Sequence, residues 1–205
     1  MYYGEKFNAL THLVGAVLAL SGSVVLIVLA ALDGDPWKVV SFSIYGLTLV
    51  LLYSLSAAYH SLRGRAKNIL RKLDHHSIYL LIAGSYTPFC LVTLRGPWGW
   101  SLLGIVWGLA ALGILQERRP KSRTRMLSML IYVVMGWMAL VALVPLLQTL
   151  GPAGFAWVAA GGLFYTIGLV FYKLDTRLTH AHGIWHLFVI VGSISHYIAI
   201  LRYVL

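Results

Sequence analysis

GFAWVAAGGLFYTIGLVFYKLDTRLTHAHGIWHLFVIVGSISHYIAILRY, residues 154–203, contains two apolar runs parted by a short polar turn. The runs, 154–172 and 184–203, are each about 20 residues long, the length that carries an α-helix across the roughly 30 Å hydrocarbon core of a bilayer. Working outward, the same pattern recurs to give seven spans in all, roughly 13–32, 39–59, 76–94, 98–115, 127–148, 154–172 and 184–203. Backbone groups in hydrocarbon must find their partners inside the segment, and runs of this length suit helices, because barrel strands alternate over about ten residues. The predicted fold is an all-α integral membrane protein, one seven-transmembrane-helix bundle over residues 1–205.

Composition agrees. The chain is 60% hydrophobic and 11% charged, with a mean hydropathy of +0.81, far too apolar for a soluble domain. The first apolar run lacks a basic leader region and a small-residue cleavage site, so it reads as a span and not as a cleaved signal. Cys90 is the single cysteine and lies in an apolar stretch; it forms no internal disulfide and reads as a small packing residue. A formal charge of +10 would suggest a nucleic-acid partner in a soluble protein. Here the cations fall in short loops between spans, so topology accounts for them and no nucleic-acid partner is expected.

Those loops set the orientation. Arg63, Arg65, Lys67, Arg71 and Lys72 lie between spans two and three, and Arg118, Arg119, Lys121, Arg123 and Arg125 between spans four and five. The alternate loops carry Asp33, Asp35 and Lys38, then Arg95, then no charge near Gly151-Pro152. Basic loops stay cytoplasmic, which predicts the N-terminus in the cytoplasm and the C-terminus outside. Trp37, Trp98 and Trp100 then sit at the outer headgroup layer as anchors. Pro88 and Pro145 should bend spans three and five. Gly104-x-x-x-Gly108 reads as a small-residue face for close helix approach, for packing within the bundle ahead of the alternative, a dimer contact.

In this topology His12, His60, Asp74, His182 and His186 all open or close a span at the cytoplasmic face. His182 and His186 are four apart, so one helix face offers two imidazoles to one ion. His60, on another helix, can supply a third nitrogen. Three histidines and a water make the open tetrahedral site that catalytic zinc uses, and with one cysteine a closed thiolate site is not available. The common helical zinc-hydrolase motif has Glu after the first His as general base; here that residue is Gly183, so the base must come from elsewhere. Asp74, at the same depth, is the candidate. Ser56, one turn before His60, can hydrogen-bond water or a substrate oxyanion. Taken singly, each has a plainer role: Asp74 as an N-cap, His60 at a helix C-terminus, Ser56 in packing. His75, His76 and His180 read as interfacial polar residues and His196 as a hydrogen bonder in packing.

The segments Glu5-Lys6-Phe7-Asn8-Ala9-Leu10-Thr11-His12, Ser56-Ala57-Ala58-Tyr59-His60, Lys72-Leu73-Asp74 and His182-Gly183-Ile184-Trp185-His186, in this order, resemble the signature of the hemolysin III family, the bacterial branch of the progestin and adipoQ receptor group. The resemblance covers nearly the whole chain. It implies a seven-helix fold with a cytoplasmic N-terminus and zinc near the cytoplasmic surface, held by His60, His182 and His186, with Asp74 acting through water and Ser56 nearby. It implies a multi-pass protein of the plasma (inner) membrane and kinship with alkaline ceramidases, hydrolases of lipid amides. Glu5, Asn8 and His12 match the family motif without a fixed role; a polar lid or helix-capping cluster at the mouth of the site is the expectation.

Three functions follow. The first is a zinc-dependent hydrolase whose partner is a membrane lipid, cut at an amide or ester bond. The second is a non-enzymatic protein, cytolytic or regulating membrane state, in which zinc staples helices; a lytic pore would need a continuous polar stripe that the spans lack. The third is a receptor or sensor, for which the outer loops are very short. The sequence leaves the oligomeric state undetermined.

Overall fold

A computed structural model describes residues 4–117 and 121–205, with backbone alone at 121–124. Arg118 and Arg119 lie outside the described residues, as do the side chains of Lys121 and Arg123. Among the described residues there is no strand. The helices are α1 (Lys6–Asp33), α2 (Pro36–Ser61), α3 (Arg65–Pro88, extended by a π-turn Phe89–Thr93), α4 (Pro97–Gln116), α5 (Lys121–Gly136, followed by a 3₁₀ turn Met138–Ala142), α6 (Leu143–Leu174) and α7 (Ala181–Tyr203).

Local chemistry sets the breaks. Gly34 ends α1 in the left-handed region at φ 80, and Asp35 caps α2 by accepting from the Trp37 N–H at 2.8 Å, with Pro36 at the first helical position. Gly151, at φ 68 and ψ 171, interrupts α6, and Pro152 opens the arm that follows. The two predicted bends take different forms. After Pro88 the backbone widens into the π-turn, with Leu94 N–H donating to Phe89 O at 2.8 Å. Ahead of Pro145 it tightens into the 3₁₀ turn. The Tyr86 hydroxyl spans this second break, donating to Gly136 O at 2.8 Å and accepting from the Ala139 N–H at 3.0 Å.

Helices adjacent in sequence pack side by side, and α7 returns against α1 to close the bundle. Its radial pattern is that of a protein dissolved in lipid. Val17, Leu112 and Val144 are each more than half exposed, while His12, Ser56, His60, Asp74, His186 and His196 are buried. In water an apolar surface so continuous would aggregate; in hydrocarbon it costs nothing.

Among the described residues, five helical runs are long and apolar enough to cross a membrane: Lys6–Asp33, Pro36–Ser61, Pro97–Gln116, Arg125–Leu174 and Ala181–Tyr203. The apolar stretch at 76–94 lies in the second half of α3, whose first half is charged; those at 127–148 and 154–172 join into one run of 50 residues broken at Gly151. Three helices also start before their apolar stretch does: α1 by Lys6, α3 by Arg65 and α7 by Ala181. Residues 65–72, read as loop, are therefore the first turns of α3.

Gly104 and Gly108 depart from expectation. Both are exposed and a side chain at either would meet nothing within 4 Å. The small-residue face of α4 points away from the chain's own helices, because the inward face is filled by Leu102, Val106 and Ala110.

Candidate metal centre

His60 ends α2, and His182 and His186 lie in the first two turns of α7. Because α7 begins at Ala181, both of its histidines are on a regular helix and present one face, as four-residue spacing requires. Their rings converge: His60 lies 5.0 Å from His182 and 5.1 Å from His186 between centroids, and the α7 pair is 4.8 Å apart. One ring nitrogen of each lies within 4.8 Å of the others. These three side chains can hold a metal ion.

The outer nitrogen of each ring is already committed. His60 Nδ1 donates to Glu5 Oε2 at 2.6 Å. His182 Nδ1 donates to Asp175 Oδ2 at 3.2 Å. His186 Nδ1 donates to the Asn8 carbonyl at 3.1 Å and lies 3.2 Å from Thr11 Oγ1. An imidazole that donates from Nδ1 keeps its Nε2 lone pair, so all three rings are fixed in the tautomer that ligates. His60 Nε2 is buried with no hydrogen-bond partner, an arrangement that costs about 1–3 kcal/mol unless something occupies it. Nitrogen donors from neutral imidazoles suit borderline transition-metal ions, zinc, copper, iron and nickel among them.

The carboxylates of this outer ring are themselves held. Glu5 also accepts from Lys67 Nζ at 3.0 Å and Asn8 Nδ2 at 2.9 Å. Burial pushes the Glu5 carboxyl up, but the hydrogen bonds from Asn8, Lys67 and His60 outweigh it and hold it down at about 2. Asp175, in the turn between α6 and α7, accepts from Arg125 at 2.7 Å. Burial raises its carboxyl too, and the contacts with His182 and Arg125 bring it below the ordinary range.

Asp74 and Ser56 stand beside the triad. The two share one cavity wall with His182 and His186. Both are buried, and both line an apolar cavity of about 370 Å³ that runs from His182 and His186 between α3, α6 and α7 past Ile78, Leu81, Leu146, Phe155 and Val189. On the opposite side lies a wider polar vestibule of about 1020 Å³, lined by Glu5, Asn8, His60, Arg71, Glu117 and Asp175 among others. His75, Tyr132, Tyr172 and His182 belong to both walls, so the candidate metal centre stands at the junction of an apolar and a polar compartment.

The three residues expected at the mouth separate. Glu5 and Asn8 line the vestibule and bind the triad's outer nitrogens. His12 does neither. It is buried on the cavity side, stacked on His186 with centroids 3.5 Å apart and edge-on to Tyr53 at 5.0 Å, so it is no part of a lid. Sequence reasoning missed Asp175, Thr11 and Arg125. Asp175 was discoverable as the sole carboxylate in the turn that precedes His182.

Gly183 explains the missing glutamate. A Cβ there would meet the Phe7 ring at 2.1 Å and Asn8 Oδ1 at 2.9 Å, so the first turn of α1 seats directly on that position. The space a base would need is taken by the helix that supplies the outer ligands.

The profile of the family described as Haemolysin-III related matches residues 2–197. The chain is 44% identical over 202 residues to Hemolysin-3 of Bacillus cereus, covering 98% of this chain and 92% of the relative. It is 42% identical over 200 residues to the Hemolysin-3 homolog of Bacillus subtilis (strain 168), covering 97% and 93%. The monocyte to macrophage differentiation factor of Homo sapiens is 31% identical over 208 residues, covering 98% of this chain and 84% of the relative, a eukaryotic match that fits the progestin and adipoQ receptor kinship. The polar signatures at residues 5–12, 56–60, 72–74 and 182–186 fall inside the matched region, and this multi-pass helical chain belongs to the haemolysin-III related family.

Proposed function

We propose that this protein is a zinc-dependent hydrolase of a lipid amide or ester, working at the cytoplasmic face of the plasma membrane. The observation that carries the reading is the junction: three ligating imidazoles, a carboxyl group beside them, and an apolar cavity leading away from both. A cavity of about 370 Å³ lies within the range of small-molecule sites and suits an acyl chain better than a polar ligand.

His60, His182 and His186 would hold the ion, and zinc bound there supplies a Lewis acid and activates water near neutral pH. The chain's own residues do the rest. Asp74 takes the proton from the attacking water and returns it to the leaving group; Ser56, on the same cavity wall, offers a hydroxyl to the water or the developing oxyanion. The apolar wall holds the acyl chain, fixes the scissile carbonyl and keeps bulk water out. The remaining topology belongs to the same proposal: seven spans, N-terminus inside and C-terminus outside, supported by the basic loops and by the gathering of Glu5, His60, Asp74 and His182 at one end of the bundle.

The test is direct. Zinc-replete protein should release fatty acid from some lipid amide or ester, and His186→Ala should abolish both zinc binding and turnover. Zinc-replete protein inert across a broad lipid panel would contradict it.

A second reading has one observation in its favour. The triad and its outer partners draw on α1, α2, α5, α7 and the α6–α7 turn, so a bound ion would also staple the bundle. In that case the protein is non-enzymatic, and Asp74→Ala leaves cellular function intact while metal removal lowers thermal stability.

A further inference from the structure

The vestibule on the polar side of the centre has no role in the hydrolase reading, and its charges are unevenly committed. Each of the three carboxylates that line it has a cationic or imidazole partner: Glu5 with His60 and Lys67, Asp175 with His182 and Arg125, Glu117 with His76 at 3.6 Å and His75 at 4.0 Å. Arg71 and Lys72 also line it, and among the described residues no carboxylate pairs with either. The charge left over for a ligand is positive.

Arg71 is more than a topological cation. A loop residue serving orientation alone needs only to be exposed, whereas Arg71 is half-buried and lies on the face of α3 that carries Asp74 and His75, three and four residues on. That spacing sets its backbone about 4.5 Å along the helix from Asp74. A guanidinium there offers a planar fork that matches carboxylate or phosphate oxygens. Because His75, Tyr132, Tyr172 and His182 wall both compartments, the two adjoin beside the candidate metal centre, so a head on one side and a chain on the other would flank the same reacting bond.

We propose that the vestibule seats the anionic headgroup, carboxylate or phosphate, of the amphiphile whose acyl chain fills the apolar cavity, with Arg71 as the main contact and Lys72 as a second. This rests on the hydrolase reading and narrows its substrate class to acyl amides or esters that carry an anion within a few bonds of the scissile group. For an N-acyl amino acid, water adds across the amide: the acyl carbon gains oxygen, the carbon–nitrogen bond breaks, the proton passes to the leaving amine, and a fatty acid and a free amino acid result.

The experiment uses the full-length, zinc-replete protein in zwitterionic phosphatidylcholine nanodiscs. Binding and laurate release are measured side by side for N-lauroylglycine, its uncharged counterpart N-lauroylethanolamine, and N-acetylglycine, which has the head without the chain. A charge-assisted contact gives N-lauroylglycine about a tenfold or greater advantage over N-lauroylethanolamine. The double variant R71Q/K72Q removes that advantage and leaves N-lauroylethanolamine binding unchanged, which also shows that the variant folds. N-acetylglycine does not bind measurably, which separates an amphiphile from a free anion. Equal binding of the two lauroyl compounds to the wild-type protein, an advantage that survives R71Q/K72Q, or N-acetylglycine binding as tightly as N-lauroylglycine would overturn the proposal. Preferential binding with no laurate released from any compound refutes the hydrolase reading and leaves the headgroup site standing; laurate release with equal binding does the reverse.

Discussion

Glu5, Asp175 and the Asn8 backbone carbonyl each take the Nδ1 of a different histidine, so the two carboxylates can be replaced one at a time while the ligating nitrogens stay in place. Asp175→Asn should weaken metal affinity about 10–100-fold, read by competition with a chelator of known affinity. Asp74→Asn should leave the metal bound and lower turnover by about 10²–10⁴-fold, the usual contribution of a general base. Glu5 gives a pH signature. Its carboxyl is held below its ordinary 4.5, at about 2, so the stability it contributes is fully present above pH 4.5 and is lost as pH falls toward 2. In metal-free protein, the difference in thermal stability between wild type and Glu5→Gln should shrink steadily across that window; a difference that grows on acidification would show that Glu5 is not the paired carboxylate described above.

At the scale of the helices, two contacts hold the irregular parts. The Phe7 ring rests where a Gly183 side chain would stand, so Gly183→Ala should cost about 1–3 kcal/mol, and adding Phe7→Ala should recover part of that loss in a double-mutant cycle of thermal stability. Tyr86→Phe removes both hydrogen bonds across the α5 break and should cost about 1–3 kcal/mol. The same elements show what a sequence can disclose. Apolar length located the five long apolar helical runs because burial in hydrocarbon leaves a compositional trace. It placed helix ends too late at residues 13, 76 and 184, because hydrogen bonding carries a helix past the edge of the apolar stretch. The convergence of His60, His182 and His186 was legible from spacing and topology. Asp175 was legible too, as the lone carboxylate in the turn seven residues before His182. Thr11 and the stacking of His12 on His186 were not, since each depends on how α1 lies against α7. Gly104 and Gly108 were misread for the same reason: a small-residue face does not say which way it turns.

For the whole molecule, an apolar exterior encloses a polar junction at which an apolar cavity and a polar vestibule meet. Hydrolysis at this junction depends on an ion held by imidazoles from α2 and α7. The decisive measurement is the metal content of gently purified protein, by elemental analysis, beside the variants His60→Ala, His186→Ala and Ser56→Ala. The account predicts one zinc per chain in the wild type and in Ser56→Ala, and its loss in both histidine variants. Wild-type protein that carries no metal and takes up none when zinc is supplied, or histidine variants that keep it, would contradict the account at its base.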